Sequence, residues 1–148
     1  MINEFRGNYH FLSNFYTCCI RWKGIEYSSV ECAFQAQKTK DEELRKYIST
    51  LNSSQAKSFG RKITPIREDW EEIKVPLMEN LIFLKFSSIP KLKIALLATG
   101  EEELIEGNNW GDIFWGQCNG IGRNILGKIL MEVRTKIRLK EAEIGEVS

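Results

Sequence analysis

The chain is poor in the groups from which metal and disulfide sites are built. It has one histidine, His10, and four cysteines, Cys18, Cys19, Cys32 and Cys118. Two cysteines are adjacent, one sits in a helical stretch, one is far away, and no C-x-x-C pair occurs. A zinc site needs about four N or S ligands at regular spacing, so no metal site is expected. No disulfide framework is legible either, and unpaired thiols fit a reducing compartment. No stretch approaches the roughly 20 apolar residues of a membrane span. The opening MINEFRGNYH lacks the apolar core of a signal peptide. The expectation is a cytoplasmic protein with no membrane partner. Charge of one sign is also missing. Lys and Arg number 21 against 20 Asp and Glu, a formal net charge of +1. No whole-chain pull toward nucleic acid follows from that balance.

What is present is an ordinary globular composition. The 148 residues are 43% hydrophobic and 28% charged, with no internal repeat, low-complexity tract or linker. One domain spanning 1–148 is expected, long enough to bury a core unaided. Aromatic and polar positions alternate early on, which predicts short strands around 9–12 and 18–23 with a turn at Lys23-Gly24. Helices dominate from residue 28. DEELRKYISTL carries Leu44, Tyr47, Ile48 and Leu51 at i, i+3, i+4, i+7. SSQAKSFG reads as a short helix closed by Gly60. Trp70, Ile73, Leu77, Leu81 and Leu84 mark a longer helix, kinked or broken at Pro76. Pro90 opens an apolar helix stopped by Gly100, and Leu126, Ile129, Leu130, Val133 and Ile137 define the last helix. Its basic residues Arg134, Lys136, Arg138 and Lys140 read as a solvated face, and 140–148 as a frayed tail. The fold class is α+β, mainly helical with a small irregular sheet.

Two segments carry candidate chemistry. In SSVECAFQAQK (28–38), Val30, Ala33 and Phe34 form an apolar face. Glu31, Gln35 and Lys38 share a neighbouring stripe, Glu31 and Lys38 lying about 10.5 Å apart along the axis. The other positions, Ser29, Cys32, Ala36 and Thr39, are small and uncharged, so this helix is expected to have protein on most sides. The polar stripe then faces a satisfied network or a cavity. Ser28 and Glu31 have capping-box spacing, which gives Glu31 a purely structural alternative. Lys38 has one too, as a C-terminal lysine on the helix carbonyls.

The second segment is ELIEGNNWGDIFWGQCNGIGRN, too glycine-rich for helix and strand-like only at 104–106 and 113–115. A long loop inside a compact domain is usually functional. Asp112 lies between Trp110 and Trp115, and tryptophans with little bulk around them suit stacking on a flat ring. The alternative is two core anchors and an aspartate capping a turn. Glycines before the last helix, with Arg123, suit a phosphate at a helix N-terminus. Asn124 as a simple N-cap is the competing reading. Neither the dinucleotide nor the Walker glycine pattern fits.

The ordered set FLSNFY, SVECAFQAQK, GRKITPIREDW, LKF, LLATG, NNWGDIFWG and GRNILGKILMEVR resembles the NADAR superfamily of YbiA-like proteins, over about Phe5 to Arg138. The resemblance implies an N-glycosidase that cleaves the bond between ribose C1 and a nitrogen. Substrates implied are ADP-ribosylated guanine, free or in nucleic acid, and phosphoribosylamino-pyrimidine intermediates of riboflavin synthesis. It further implies Glu31 as the essential carboxylate, Lys38 as a covalent nucleophile through a Schiff base, and Asp112 as an assisting carboxylate. Family pocket positions fall on Trp70, Asp112, Trp115 and Asn124; Ser13, Asn14, Phe15, Gln35, Gly116 and Arg123 are further candidate substrate-binding residues, with Arg123 and the amides near Asn124 expected on phosphate. Relatives commonly have histidine after the glutamate, where this chain has Cys32. A non-catalytic module binding ADP-ribose or a related nucleotide is the alternative function.

Overall fold

The computed structural model describes residues 1–147. The chain forms two compact units. One comprises Asn14–Lys85; the other joins Met1–Ser13 to Phe86–Ser148. As expected, the architecture is mainly helical with small β elements. Among the described residues no helix is long and apolar enough to cross a membrane.

The Asn14–Lys85 unit opens on a hairpin of β1 (Ile20–Trp22) and β2 (Ile25–Tyr27), antiparallel with Trp22 opposite Ile25. Its turn is the expected Lys23-Gly24 pair, at φ 50° and 85°. Positive φ at both central positions matches the twist of the flanking strands. Helix α1 (Val30–Ala36) follows, then α2 (Glu42–Ile48), α3 (Ser53–Gly60) and most of α4 (Trp70–Ser88). Every residue of α1 is buried. Cys32, Ala33 and Ala36 have no exposed surface and let α3 pack closely on it. Ser53 of α3 binds the Ser29 hydroxyl at 2.7 Å and donates to the Phe15 carbonyl at 3.0 Å. Asp41 caps α2 through the amides of Glu43 and Leu44. Helix α4 runs unbroken through Pro76, so of the two outcomes expected there, a kink or a break, the break does not occur.

In the other unit, residues 7–12 form a 3-10 helix rather than the strand expected at 9–12. The aromatic alternation there reflects exposed Tyr9 beside buried Leu12, not a pleat. Helix α5 (Pro90–Ala98) begins on Pro90 and is followed by Gly100 in the left-handed region, as expected. The strands lie at β3 (Gly107–Asn108) and β4 (Gln117–Cys118), parallel, instead of at 104–106 and 113–115; Leu104 contributes only a bridge to Ile2. Helix α6 (Ile125–Val147) buries Leu126, Ile129, Leu130, Val133 and Ile137.

One expectation for α6 needs correcting. Its basic residues are not all solvated. Arg134 is buried and donates to Thr99 Oγ1 at 2.9 Å. Arg138, one turn on, reaches the Gly100 carbonyl and Glu101, both at 2.8 Å. Together they serve the C-terminal end of α5. The helix runs on past Leu139 to Val147, over the stretch for which a frayed tail was expected; Ser148 lies outside the described residues. Lys140, Glu141, Ala142 and Glu143 are good helix formers, and Glu141 is held by Lys93 at 3.1 Å.

Candidate active site

The N-terminus of α1 fixes the direction of Glu31. Ser29, not Ser28, is the N-cap, its hydroxyl accepting from the Cys32 amide at 3.1 Å. Glu31 is therefore the second helical residue, one position short of a capping-box glutamate. Its amide donates to the Asn14 carbonyl at 3.0 Å, and its carboxylate accepts from Gln35 Nε2 at 2.8 Å. The capping-box position expected for Glu31 is therefore not the one it occupies. Glu31 is 8% exposed, and its carboxylate is turned along the stripe toward Gln35.

Lys38 lies just beyond the helix. Its carbonyl accepts from the Arg67 amide at 2.9 Å, and Arg67 also donates to the Gln37 carbonyl at 3.3 Å. Arg67 is itself gripped by Asp69 through two bonds of 2.6 and 3.0 Å. Arg67 thus does the carbonyl work that a C-terminal lysine would do. The Lys38 ammonium instead stands 5.9 Å from the Trp70 ring centroid, with no ion pair or hydrogen bond among the described residues. Burial pulls its pKa below the ordinary lysine value, the Glu31 carboxylate opposes that shift, and Arg61 and Lys74 reinforce it. A lysine held this way reaches its neutral, nucleophilic form more readily.

The remaining expected residues of this unit divide by role. Trp70 is 7% exposed and packs on Phe34, ring centroids 4.9 Å apart. It is a wall beneath Lys38 more than an open stacking surface. Phe15 is half-buried under the Lys57 ammonium, 5.6 Å away. Asn14 is buried, its Nδ2 directed at Met78 Sδ at 3.5 Å. Asn14 Oδ1 and Gln35 Oε1 are buried acceptors without a partner among the described residues. Cys32 points away from the stripe, donating to the Leu51 carbonyl at 3.3 Å, so its place in the fold is structural.

The glycine-rich segment of the other unit has a different character. Asp112 Oδ1 accepts from the amides of Phe114 and Trp115 at 3.1 and 3.0 Å. Asn108 brackets the same residue, accepting from its amide at 3.0 Å and donating to its carbonyl at 2.8 Å. The turn this makes is why 113–115 is not a strand. Its carbonyls then cap α6. The amides of Arg123, Asn124, Ile125 and Leu126 donate to Ile113, Gly116, Phe114 and Trp115 at 2.7–3.1 Å. The expected phosphate cradle is therefore already filled by the chain's own carbonyls. Asn124 is not a side-chain N-cap either. Its Oδ1 accepts from the Glu106 amide and its Nδ2 donates to the Leu104 carbonyl, both at 2.9 Å. Gly116 is buried, and a β-carbon there would overlap the Glu106 carbonyl oxygen and carboxylate. Arg123 is exposed, its guanidinium 5.1 Å from the Phe114 ring. Trp115 meets Phe114 edge-on at 4.9 Å, while Trp110 is exposed. Ser13 ends the 3-10 helix, its amide on the His10 carbonyl.

Sequence reasoning passed over Lys85. It sits on α4 with no exposed surface, its ammonium 5.4 Å from the Tyr16 ring centroid. Burial lowers its pKa to about 8, against a smaller upward pull from Cys18. The available signal was a lysine between Leu84 and Phe86, on a helix face otherwise apolar.

Residues 3–138 match the NADAR domain. The chain belongs to the NADAR family. Its fold matches the NMR structure of Escherichia coli YbiA, with a TM-score of 0.84 and 32% identity over 97% of this chain and 90% of that one. In sequence, the N-glycosidase YbiA of Escherichia coli is 34% identical over 90% of this chain and 85% of its own length. An N-glycosidase of Nostoc punctiforme is 36% identical over 88% of this chain and 86% of its own. A riboflavin biosynthesis protein of Vibrio vulnificus is 40% identical over 88% of this chain, which spans only 36% of that longer protein. N-glycosidase activity is thus the activity of the YbiA-like relatives as a group.

Proposed function

We propose that this NADAR protein is an N-glycosidase that hydrolyses a ribose C1–N bond by way of a Lys38 Schiff base. The observation that carries this reading is the Lys38 ammonium: half-buried, without an ion pair among the described residues, its pKa lowered by burial, and within the field of the Glu31 carboxylate. A plain binding module has no need of such a lysine beside a buried acid.

The steps follow from those two groups. An N-ribosyl amine opens when the nitrogen lone pair forms a C1=N bond and the ring oxygen departs, taking a proton from Glu31. The neutral Lys38 amine adds to C1. The Glu31 carboxylate collects the proton released by that addition and returns it to the original nitrogen, which leaves as the free base or amine. C1 remains double-bonded to Lys38 Nζ until water adds and releases the sugar. The bond from Gln35 to Glu31 holds the carboxyl in one orientation throughout. Lys85 is the competing amine, since burial lowers its pKa to about 8. Its lack of exposed surface argues against it, because a sugar carbon must approach the nitrogen. Lys38 keeps an exposed part.

For the substrate class we infer, from the family resemblance, a phosphoribosylamino-pyrimidine or ADP-ribosylated guanine. The balanced charge gives no support to a long nucleic-acid track, although one flipped nucleotide needs few phosphate contacts. The test is product analysis by mass spectrometry with three substrates in parallel: an ADP-ribosylated guanine oligonucleotide, a phosphoribosylamino-pyrimidine and free ADP-ribose. Release of a free base or amine from either of the first two is expected. Tight binding of all three without turnover, unchanged in Glu31→Gln, would establish the binding module instead.

A further inference from the structure

We propose that Gly60 is a positioning residue for the site: its missing side chain is the space in which Gln35 stands while it holds Glu31. This rests on Glu31 acting as the proton-transfer group described above. Gly60 is the last residue of α3 and is buried, but it does not serve as the helix stop that its place in the sequence suggests. Arg61 is the C-cap, and Gly60 is absent from the left-handed residues of the chain. Backbone conformation therefore does not call for glycine here, and alanine would be the better helix former. Space calls for it. A β-carbon at Gly60 would overlap Gln35 Oε1, lie 2.7 Å from Gln35 Cδ and 3.2 Å from its Cβ.

Gln35 is 6% exposed, and its Oε1, the atom turned toward Gly60, has no hydrogen-bond partner among the described residues. Its Nε2 donates to Glu31 Oε1 at 2.8 Å. The amide thus keeps an unsatisfied acceptor against a glycine in order to present its donor to the carboxylate. A methyl at position 60 overlaps chiefly the flexible end of Gln35, which gives way by rotating, while the tight approach to Gln35 Cβ needs a shift of only a few tenths of an ångström. The fold then survives, while Gln35 leaves Glu31 and the carboxyl loses its fixed orientation. A purely packing role for Gly60 makes the opposite prediction: loss of stability without a specific effect on turnover.

The experiment is a double-substitution cycle with Gly60→Ala, Gln35→Ala and both together. Gly60→Ala is expected to lower kcat about tenfold or more, with KM within about twofold and a melting temperature no lower than the parent. Gln35→Ala should lower kcat to a similar degree, and the double variant no further, because Gly60 has nothing to accommodate once Gln35 is truncated. The same prediction is read without substrate in the Gln35 side-chain amide resonances, whose protons should lose their protection from exchange in Gly60→Ala. Parental kcat with protected Gln35 protons in Gly60→Ala, or additive losses in the double variant, would overturn the proposal. If the parent shows no N-glycosidase turnover, the resonances still decide the positioning claim, and only the functional reading falls.

Discussion

Two polar regions of this protein have similar sequence credentials and opposite physical states. The stripe on α1 and the glycine-rich segment before α6 both combine a carboxylate, amides and nearby aromatics. In the segment, polar groups are spent on the chain itself. Asp112 holds two amides, Asn124 holds a carbonyl and an amide, and the four amides of 123–126, at and just before the start of α6, are met by carbonyls. On the stripe, groups are left in reserve. Lys38 has no ion pair among the described residues, and Gln35 and Asn14 each keep a buried acceptor unused. Satisfied polar networks rigidify, whereas unsatisfied ones cost stability and are retained for another reason. We propose from this contrast that 104–126 does scaffold work and that 31–38 carries the chemistry.

The sharpest way to break that contrast is at Lys38. With Lys38→Ala, turnover is expected to fall at least about a thousandfold, the scale set by loss of a covalent nucleophile. Borohydride should trap a sugar adduct on the parent and none on this variant. Adduct surviving in Lys38→Ala but vanishing in Lys85→Met would move the chemistry to Lys85.

A second effect sharpens the cost of that reserve. Lys85 titrates at about 8 in the folded chain and near 10.5 when unfolded. Below pH 8 both states are protonated, and the full cost of burying the ammonium is present. Above pH 8 the native state sheds its proton first, so the unfolded state binds more protons and stability rises with pH. The span to pH 10.5 amounts to about 3 kcal/mol. Lys38, shifted the same way, adds to the rise. Tyr27, whose phenol burial pushes upward, acts with the opposite sign only above its ordinary value of 10.0. Urea titrations from pH 7.5 to 9.5 should show the parent gaining stability and Lys85→Met following a flatter curve. Equal slopes would mean that Lys85 is not desolvated.

Asn124→Gly probes the scaffold side. Asn124 has φ 51°, which glycine accepts, so this substitution isolates the side-chain bonds to Leu104 and Glu106. Leaving that amide and carbonyl unpaired should cost about 2 kcal/mol in chemical denaturation. Turnover per folded molecule should stay near the parent value. A selective loss of substrate affinity with parental stability would return Asn124 to the substrate-binding set.

Much of the fold was legible because it rests on local signals. The hairpin turn, Pro90 with Gly100, and the apolar face of α6 each follow from a few nearby residues. Burial of α1 was legible from its small, uncharged positions. The failures are non-local. No periodicity shows that Ser29 outcompetes Ser28 as N-cap, because Ser53, distant in sequence, braces its hydroxyl. Nothing around Asn124 reveals that its partners are Leu104 and Glu106. Gly60 reads as a helix stop until Gln35 is seen against it. Lys85 was hidden because a lysine in an apolar helix is ordinarily expected to reach solvent.

Asp112 gives the finest discrimination, because one substitution separates its two roles. Its Oδ1 accepts two backbone amides, and an asparagine side-chain oxygen can accept the same two. Asp112→Asn removes the charge and proton-transfer capacity while keeping the turn. If the carboxyl is scaffold, melting temperature should hold and turnover should change less than about threefold. Asp112→Ala, which deletes both bonds, should then lower stability by about 1–2 kcal/mol. Glu31→Gln is the matched control on the stripe, where loss of the proton-transferring group is expected to cost about a hundredfold or more. If Asp112→Asn falls as far as Glu31→Gln at parental stability, the segment contributes a second working carboxylate. The mechanism would then move toward paired-carboxylate glycoside hydrolysis and away from the lysine.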